Sequence, residues 1–269
     1  MLREAPLTDS DGAQERELAY YENLYGGFGV EHFAKPAVVA FREYLVGRVL
    51  RRTEAASNCR VLSIGCGIGD TELLLAPHVG HVTGVDLSPT AIREANRAAK
   101  TKGVKNARFL EGSWPALALD GESFDIVLAI FFLHHLPDPV LDAFPGHLSP
   151  LLSERGRFYA LEPSARRLSG FLGKLLVPGL MKKYQTDDER QLLARRTVDP
   201  FLQAGFRAAT SWFDFCSTPL AGLFPSWAAG YRLARSLDEV LTACPGLRAF
   251  SSNFELIAYR PRMAAPIST

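Results

Sequence analysis

Beyond residue 59, short apolar runs alternate with stretches whose apolar residues recur at helical spacing, the pattern of a parallel sheet covered on both faces. Strands are predicted at Arg60–Ile64, His81–Val85, Ala107–Leu110, Phe124–Ile130 and Gly156–Leu161. Helices fill the gaps at about 69–79, 89–102 and 138–152. The second of these follows Asp86-Leu87-Ser88-Pro89, a capping residue with proline in the first turn. Upstream lie two helical stretches, about 13–25 and 33–53, the latter carrying Ala37, Val38, Phe41, Leu45 and Val49 at helical spacing. Gly26, Gly27 and Gly29 interrupt them and predict a bend. After Pro163 the alternation stops. Residues 164–184 are basic and apolar, broken at Pro178-Gly179, and read as a lid. A helix at 187–204, a strand at Phe206–Phe215, a helix at 226–243 and a strand at Asn253–Tyr259 follow. The last two strands are expected to form an edge hairpin interrupted by a helix. Repeated strand–helix units imply an α/β fold with a doubly wound, mostly parallel, seven-stranded sheet and helices on both faces. An N-terminal helical cap over 1–57, a main domain over 58–269 and a lid insertion at about 164–190 complete the expected organisation.

Charge narrows the partners. Thirty Lys and Arg against 29 Asp and Glu give a net charge of +1 in 269 residues, so no global field steers the chain to nucleic acid or a charged membrane. No apolar stretch reaches the ~20 residues of a spanning helix. The opening segment is acidic and polar, without the basic segment and apolar run of a secretory signal, and a cytoplasmic location is expected. Cys59, Cys66, Cys216 and Cys244 are scattered, with no metal-ligand spacing, and reduced thiols are expected.

The most informative segment is Val61-Leu62-Ser63-Ile64-Gly65-Cys66-Gly67-Ile68-Gly69-Asp70, a buried strand running into three alternate glycines and then a helix. Glycine lets the backbone pass close beneath a ligand, and the following helix presents unpaired amides. A ligand is expected at the carboxyl end of this strand. A dinucleotide fingerprint spaces its glycines as G-x-G-x-x-G. Here the third glycine comes one residue early, which favours an aminoacyl nucleoside over a pyrophosphate-bearing NAD. Asp86 ends the second strand, where a carboxylate accepts the hydroxyls of a ribose or caps the next helix.

With these segments in order, residues 58–163 resemble the class I S-adenosylmethionine-dependent methyltransferases, a Rossmann-like family, and within it the small-molecule branch that includes quinone-biosynthesis enzymes. The resemblance rests on VLSIGCGIGD, VTGVDLSPTAIREA, ARFLEGSWPAL and FDIVLAIFFLHHLPDP. It implies that Gly65, Cys66, Gly67 and Gly69 line the methionine and sugar of the cofactor, that Asp86 holds its ribose, and that Leu87 and Ile92 flank its adenine. Ile130, ending the fourth strand, joins this cofactor-binding set. The family usually places Gly-Asp after the third strand. This chain has Gly112-Ser113-Trp114, which offers an uncharged hydroxyl and an aromatic surface to the adenine instead.

Methyl transfer is an in-line displacement on a sulfonium, so a protein mainly aligns the acceptor, excludes water and takes a proton where the acceptor has one to lose. His134 and His135, after the fourth strand, are the candidate bases; the alternative is that a histidine there only braces its loop. The fourth strand lacks the Asp/Asn-Pro-Pro-aromatic sequence of amino-methylating relatives, and no acidic cluster suggests a metal-dependent site. A metal-free reaction with S-adenosylmethionine, giving S-adenosylhomocysteine, is therefore expected. Acceptor contacts are expected from Tyr20, Tyr21, Tyr25, Phe28 and His32 of the cap, from Phe171 and Tyr184 of the lid, and from Trp212, Phe213 and Trp227; packing of the cap is the alternative role. The acceptor is expected to be a small aromatic or apolar metabolite methylated on oxygen or nitrogen. The alternatives are a lipid or quinone acceptor, with the basic lid resting on a membrane surface, a noncatalytic adenosyl-ligand-binding regulator, and, more remotely, an NAD-dependent oxidoreductase.

Overall fold

The computed structural model describes residues 10–27, 29–114, 119, 121–170 and 191–261. Its centre is a seven-stranded sheet of order β3-β2-β1-β4-β5-β7-β6. β1 (Arg60–Ile64), β2 (His81–Asp86), β3 (Ala107–Glu111), β4 (Phe124–Ile130) and β5 (Leu152–Pro163) run parallel. β7 (Asn253–Tyr259) lies antiparallel between β5 and β6 (Arg207–Asp214). The expected antiparallel pairing of the last two strands is present, but β7 sits inside the sheet and only β6 takes the edge. Strand order reverses between β1 and β4, and the crevice above their carboxyl ends is where such sheets bind ligands.

Strand residues alternate between two cores. Leu62, Val127, Phe158 and Ala160 face a layer with Phe144 and Phe201, while Val61, Leu128, Tyr159 and Leu161 face one with Phe41, Leu45 and Val49. Burial on both faces is why the strands read as near-continuous apolar runs. The first layer is built on α6 (Asp138–Leu148) and α7 (Ala194–Gln203). The second is built on α3 (Pro36–Thr53), α8 (Ser217–Leu223) and α9 (Ala228–Ala243). α4 (Asp70–Leu75) and α5 (Pro89–Lys102) follow β1 and β2.

The observed elements depart from the expected ones at three places. The helix expected at 33–53 begins three residues later, as α3, because Pro36 forces Lys35 into an extended conformation (φ −70°, ψ 147°), and a separate short helix, α2 (Gly29–Phe33), precedes it. β5 begins at Leu152, four residues before Gly156, and its pairing to β4 shifts register between Phe124 and Ile126. α8 was not expected from sequence. Its first amides are held by two buried carboxylates, Asp238 accepting from Cys216 and Ser217 (2.8 and 2.9 Å) and Asp214 from Thr218 (2.7 Å).

α3, expected as part of the cap, belongs to the core of the sheet. Arg48 reaches across to Glu255 of β7 (2.9 Å), whose buried carboxylate also accepts from the Tyr159 hydroxyl (2.7 Å) and the Ser211 hydroxyl (2.9 Å). Of the described cap, α1 (Ser10–Gly26) reaches the crevice, through Tyr21 and Tyr25. Of the expected lid, residues 171–190 lie outside the described residues. Its start is fastened to the sheet, Ser164 N–H donating to Ser252 O (2.9 Å) and Ala165 N–H to Leu192 O (2.8 Å).

Candidate functional site

The floor of the crevice is the turn leaving β1. Gly65, Gly67 and Gly69 all take positive φ (69°, 52° and 70°), a conformation that costs a side-chain-bearing residue about 1 kcal/mol or more. The surroundings are as restrictive as the backbone. A Cβ on Gly65 would meet the Phe132 ring at 2.5 Å, and one on Gly67 the Tyr25 hydroxyl at 2.7 Å. The turn is sewn to β2 by Gly65 and Cys66 amides donating to Val85 O (2.8 and 3.0 Å).

Asp86, at the end of β2, organises the next layer. One carboxylate oxygen accepts from Gly67 N–H (2.8 Å) and the other from Ser88 N–H (2.9 Å). These two bonds fix the carboxylate beside the glycine turn, where a charged acceptor can meet ligand hydroxyls. Ser88 caps α5, its hydroxyl accepting from Ala91 N–H (3.0 Å). Gly112 N–H donates to Asp86 O (2.9 Å), bringing the exit of β3 alongside.

α1 closes over this floor at three points. Glu22 accepts from the Thr90 amide (3.0 Å) and from the hydroxyls of Ser88 and Thr90. Tyr25 lies over Gly67; burial and the Asp86 carboxylate push its phenol well above the usual range, so it stays protonated. Tyr21 stacks on Tyr25 (ring centroids 5.7 Å) and places its hydroxyl 3.2 Å from His135 Nε2.

Behind the glycine turn lies a buried acidic layer. Glu72 is 2% exposed, and burial raises its carboxyl to about 7, against the opposing hydrogen bond from the Ser63 hydroxyl (2.6 Å) and with help from nearby Asp70. Asp70 is itself paired with Arg42 of α3 (2.9 Å). The Cys66 thiol is held well above its ordinary range by burial, Glu72 and Asp86, so it is packing rather than a nucleophile.

The far wall is the segment leaving β4. Phe131 has φ +54°, rare for an aromatic residue and a strained feature of the kind that clusters at functional sites. Its N–H bonds to Leu161 O (2.8 Å), and the turn it makes lays Phe132 against Gly65. Fully buried Glu162, at the tip of β5, accepts from Phe132 N–H (3.0 Å) and Leu133 N–H (2.7 Å) and contacts His134 Nδ1 (2.7 Å). His134 is 6% exposed, its ring against Glu162, whereas His135, its ring centroid 3.9 Å from that of His134, meets Tyr21 at the crevice.

The structure therefore gathers Gly65, Cys66, Gly67, Gly69, Asp86, Tyr21, Tyr25, His134 and His135 around one crevice. Leu87 is exposed beside it, and Ile92 packs behind the turn with Cys66 and Phe109. Trp114, after Gly112 and Ser113, packs against Phe144 (4.7 Å), and its Nε1 has no hydrogen-bond partner among the described residues. Ile130 packs into the core layer of α3, and His32 lies against Phe33 of α2 (5.6 Å). Trp212 is elsewhere, on edge strand β6, opposite Phe254 and packed into the layer of α6 and α7. Phe213 is buried against Phe41, and Trp227 is exposed before α9. Phe28, Phe171 and Tyr184 lie outside the described residues. Glu22 and Glu162 were not singled out from sequence. Glu162 carried a usable signal, an acid ending an apolar strand as Asp86 does; Glu22, in a polar helix, carried none.

Residues 61–167 match the family model described as a methyltransferase domain. An uncharacterized methyltransferase of Bacillus subtilis is 32% identical over 117 residues, covering 44% of this chain and 46% of the relative. A demethylmenaquinone methyltransferase of Geobacillus kaustophilus is 32% identical over 140 residues, covering 50% and 59%. The chain thus matches about half the length of these curated relatives. Among solved structures, magnesium protoporphyrin IX methyltransferase from Synechocystis PCC 6803 with bound SAH superposes with a TM-score of 0.61 at 17% identity, covering 92% of this chain and all of that one. At that identity it is the fold that is shared.

Proposed function

We propose that this chain, which carries a methyltransferase domain over residues 61–167, binds S-adenosylmethionine in the crevice above β1 and β2 and methylates an oxygen or nitrogen atom of a small aromatic or apolar acceptor. The observation that carries this reading is the Asp86 carboxylate, set by the Gly67 and Ser88 amides over a turn of three positive-φ glycines. A charged acceptor beside a surface without Cβ atoms suits a ribose joined to a flat base and an amino-acid arm. Bound there, S-adenosylmethionine supplies an electrophilic methyl group.

The chain's own residues supply alignment and proton removal. Tyr25 roofs the glycine turn and excludes water from it. Tyr21 and His135 form a relay, the phenol taking the acceptor's proton as its own passes to the imidazole Nε2. Glu162 and His134 hold the loop that aims His135. The stacked Tyr21 and Tyr25 rings favour a flat acceptor, and the quinone-methylating relative agrees with an aromatic ring of that kind.

The test is transfer of labelled methyl from S-adenosylmethionine to a panel of phenols, quinols and amines. Labelled product with at least one class, lost in His135→Ala, supports the reading. Cofactor binding without turnover on any class would leave a noncatalytic binding protein instead.

A further inference from the structure

Eight of the thirteen large apolar side chains exposed among the described residues lie between 223 and 250, around α9. α9 carries Leu233 (71% exposed), Leu237 (51%) and Val240 (61%), spaced by four and then three residues. At about 100° per residue these three fall on one stripe, facing away from the inner residues Tyr231, Ala234 and Asp238. Spacing of four and three is that of a helix–helix seam. Trp227 precedes the helix, and Leu247 and Phe250 extend exposed apolar surface past its end.

The charges beside the stripe choose the occupant. Arg232 and Glu239, both exposed, are two turns apart on the same flank, and between them lies the small Ser236. A second copy of α9 running antiparallel about a two-fold axis near Ser236 sets Leu233 against the partner's Val240 side of the stripe. It also brings Arg232 opposite Glu239 of the other copy, twice over. A parallel pair would face like charges. A membrane surface calls for a cation-rich flank, and this one carries as many acids as bases. We propose that the α9 face, with Leu237 near its centre, is an isologous interface through which two copies of this chain pair antiparallel.

Sedimentation velocity of the full chain at about 50 μM tests this. Twice the mass of one chain is expected for the unaltered protein. Leu237→Asp is expected to sediment as a single chain while keeping the circular dichroism spectrum of the folded protein, because the site is exposed. Arg232→Glu and Glu239→Arg are each expected to weaken pairing about tenfold, and the double exchange to restore it. A single-chain mass for the unaltered protein, a pair that survives Leu237→Asp, or failure of the double exchange to rescue overturns the proposal. Leu237-dependent sedimentation with anionic phospholipid vesicles in place of pairing would overturn it in favour of a membrane.

Discussion

The Tyr21 hydroxyl stands 3.2 Å from His135 Nε2, a hydrogen bond between residues 114 positions apart that joins α1 to the loop leaving β4. In the proposed relay, proton transfer from an acceptor depends on α1 being in place. His135→Ala is expected to lower kcat by about 10²–10³-fold, the ordinary worth of a positioned general base. Tyr21→Phe keeps the ring stack and removes the hydroxyl, with a fall of about tenfold expected. Steady-state kinetics against pH checks both, and unchanged kcat in both variants would remove the relay.

His134 plays a different part. Its ring nitrogen meets the buried Glu162 carboxylate, so His134→Ala leaves that acid without its side-chain partner. A loss of about 3 kcal/mol is expected, a lowering of the melting temperature by roughly 6–12 °C. His135→Ala, by contrast, is expected to melt within about 3 °C of the unaltered protein. Thermal melts of the two variants side by side separate the brace from the base.

Glu22 fastens α1 to the start of α5 through Ser88 and Thr90. Glu22→Ala is expected to speed amide exchange across α1 while leaving β1 and β4 protected. The apparent KM for S-adenosylmethionine is expected to rise several-fold, with a smaller change in kcat. Hydrogen exchange followed by mass spectrometry reads the first effect; unchanged exchange in α1 would mean that the latch is held elsewhere.

Burial raises Glu72 to about 7 from the ordinary 4.5. Between those values the folded chain binds more protons than the unfolded one, so stability falls as pH rises from about 4.5 to 7 and the loss is complete above that. Isosteric Glu72→Gln keeps a partner for Ser63 and cannot ionise. Its advantage in stability over the unaltered protein is expected to grow from pH 5 to pH 7.5, by on the order of 2–3 kcal/mol, and then to level off. Denaturant melts at a series of pH values measure this, and a difference independent of pH would contradict it.

The sheet and the glycine turn after β1 were legible because their determinants are local. Both faces of β1 and β4 are buried, so each reads as an apolar run, and Gly65, Gly67 and Gly69 are required by the backbone at their own positions. The start of α3 is equally local, since Pro36 holds Lys35 extended just before it. What stayed hidden is set by distant partners. α8 depends on Asp238, 22 residues beyond the first amide it holds, and Glu22 meets Thr90 across 68 residues. Trp212 illustrates the same limit. Alternation on β6 sends Phe213 to one core and Trp212 to the other, so an aromatic residue that suggested an acceptor wall packs an edge strand.

Calorimetric titration with S-adenosylhomocysteine of the unaltered protein and of Asp86→Ala and Asp86→Asn is the most direct test of the crevice above β1 and β2. Saturable binding is expected for the unaltered chain, weakened about 10–100-fold in both variants, the worth of hydrogen bonds to a charged acceptor. No binding by the unaltered chain, or equal affinity in all three folded proteins, would contradict the assignment of that crevice to the adenosyl ligand.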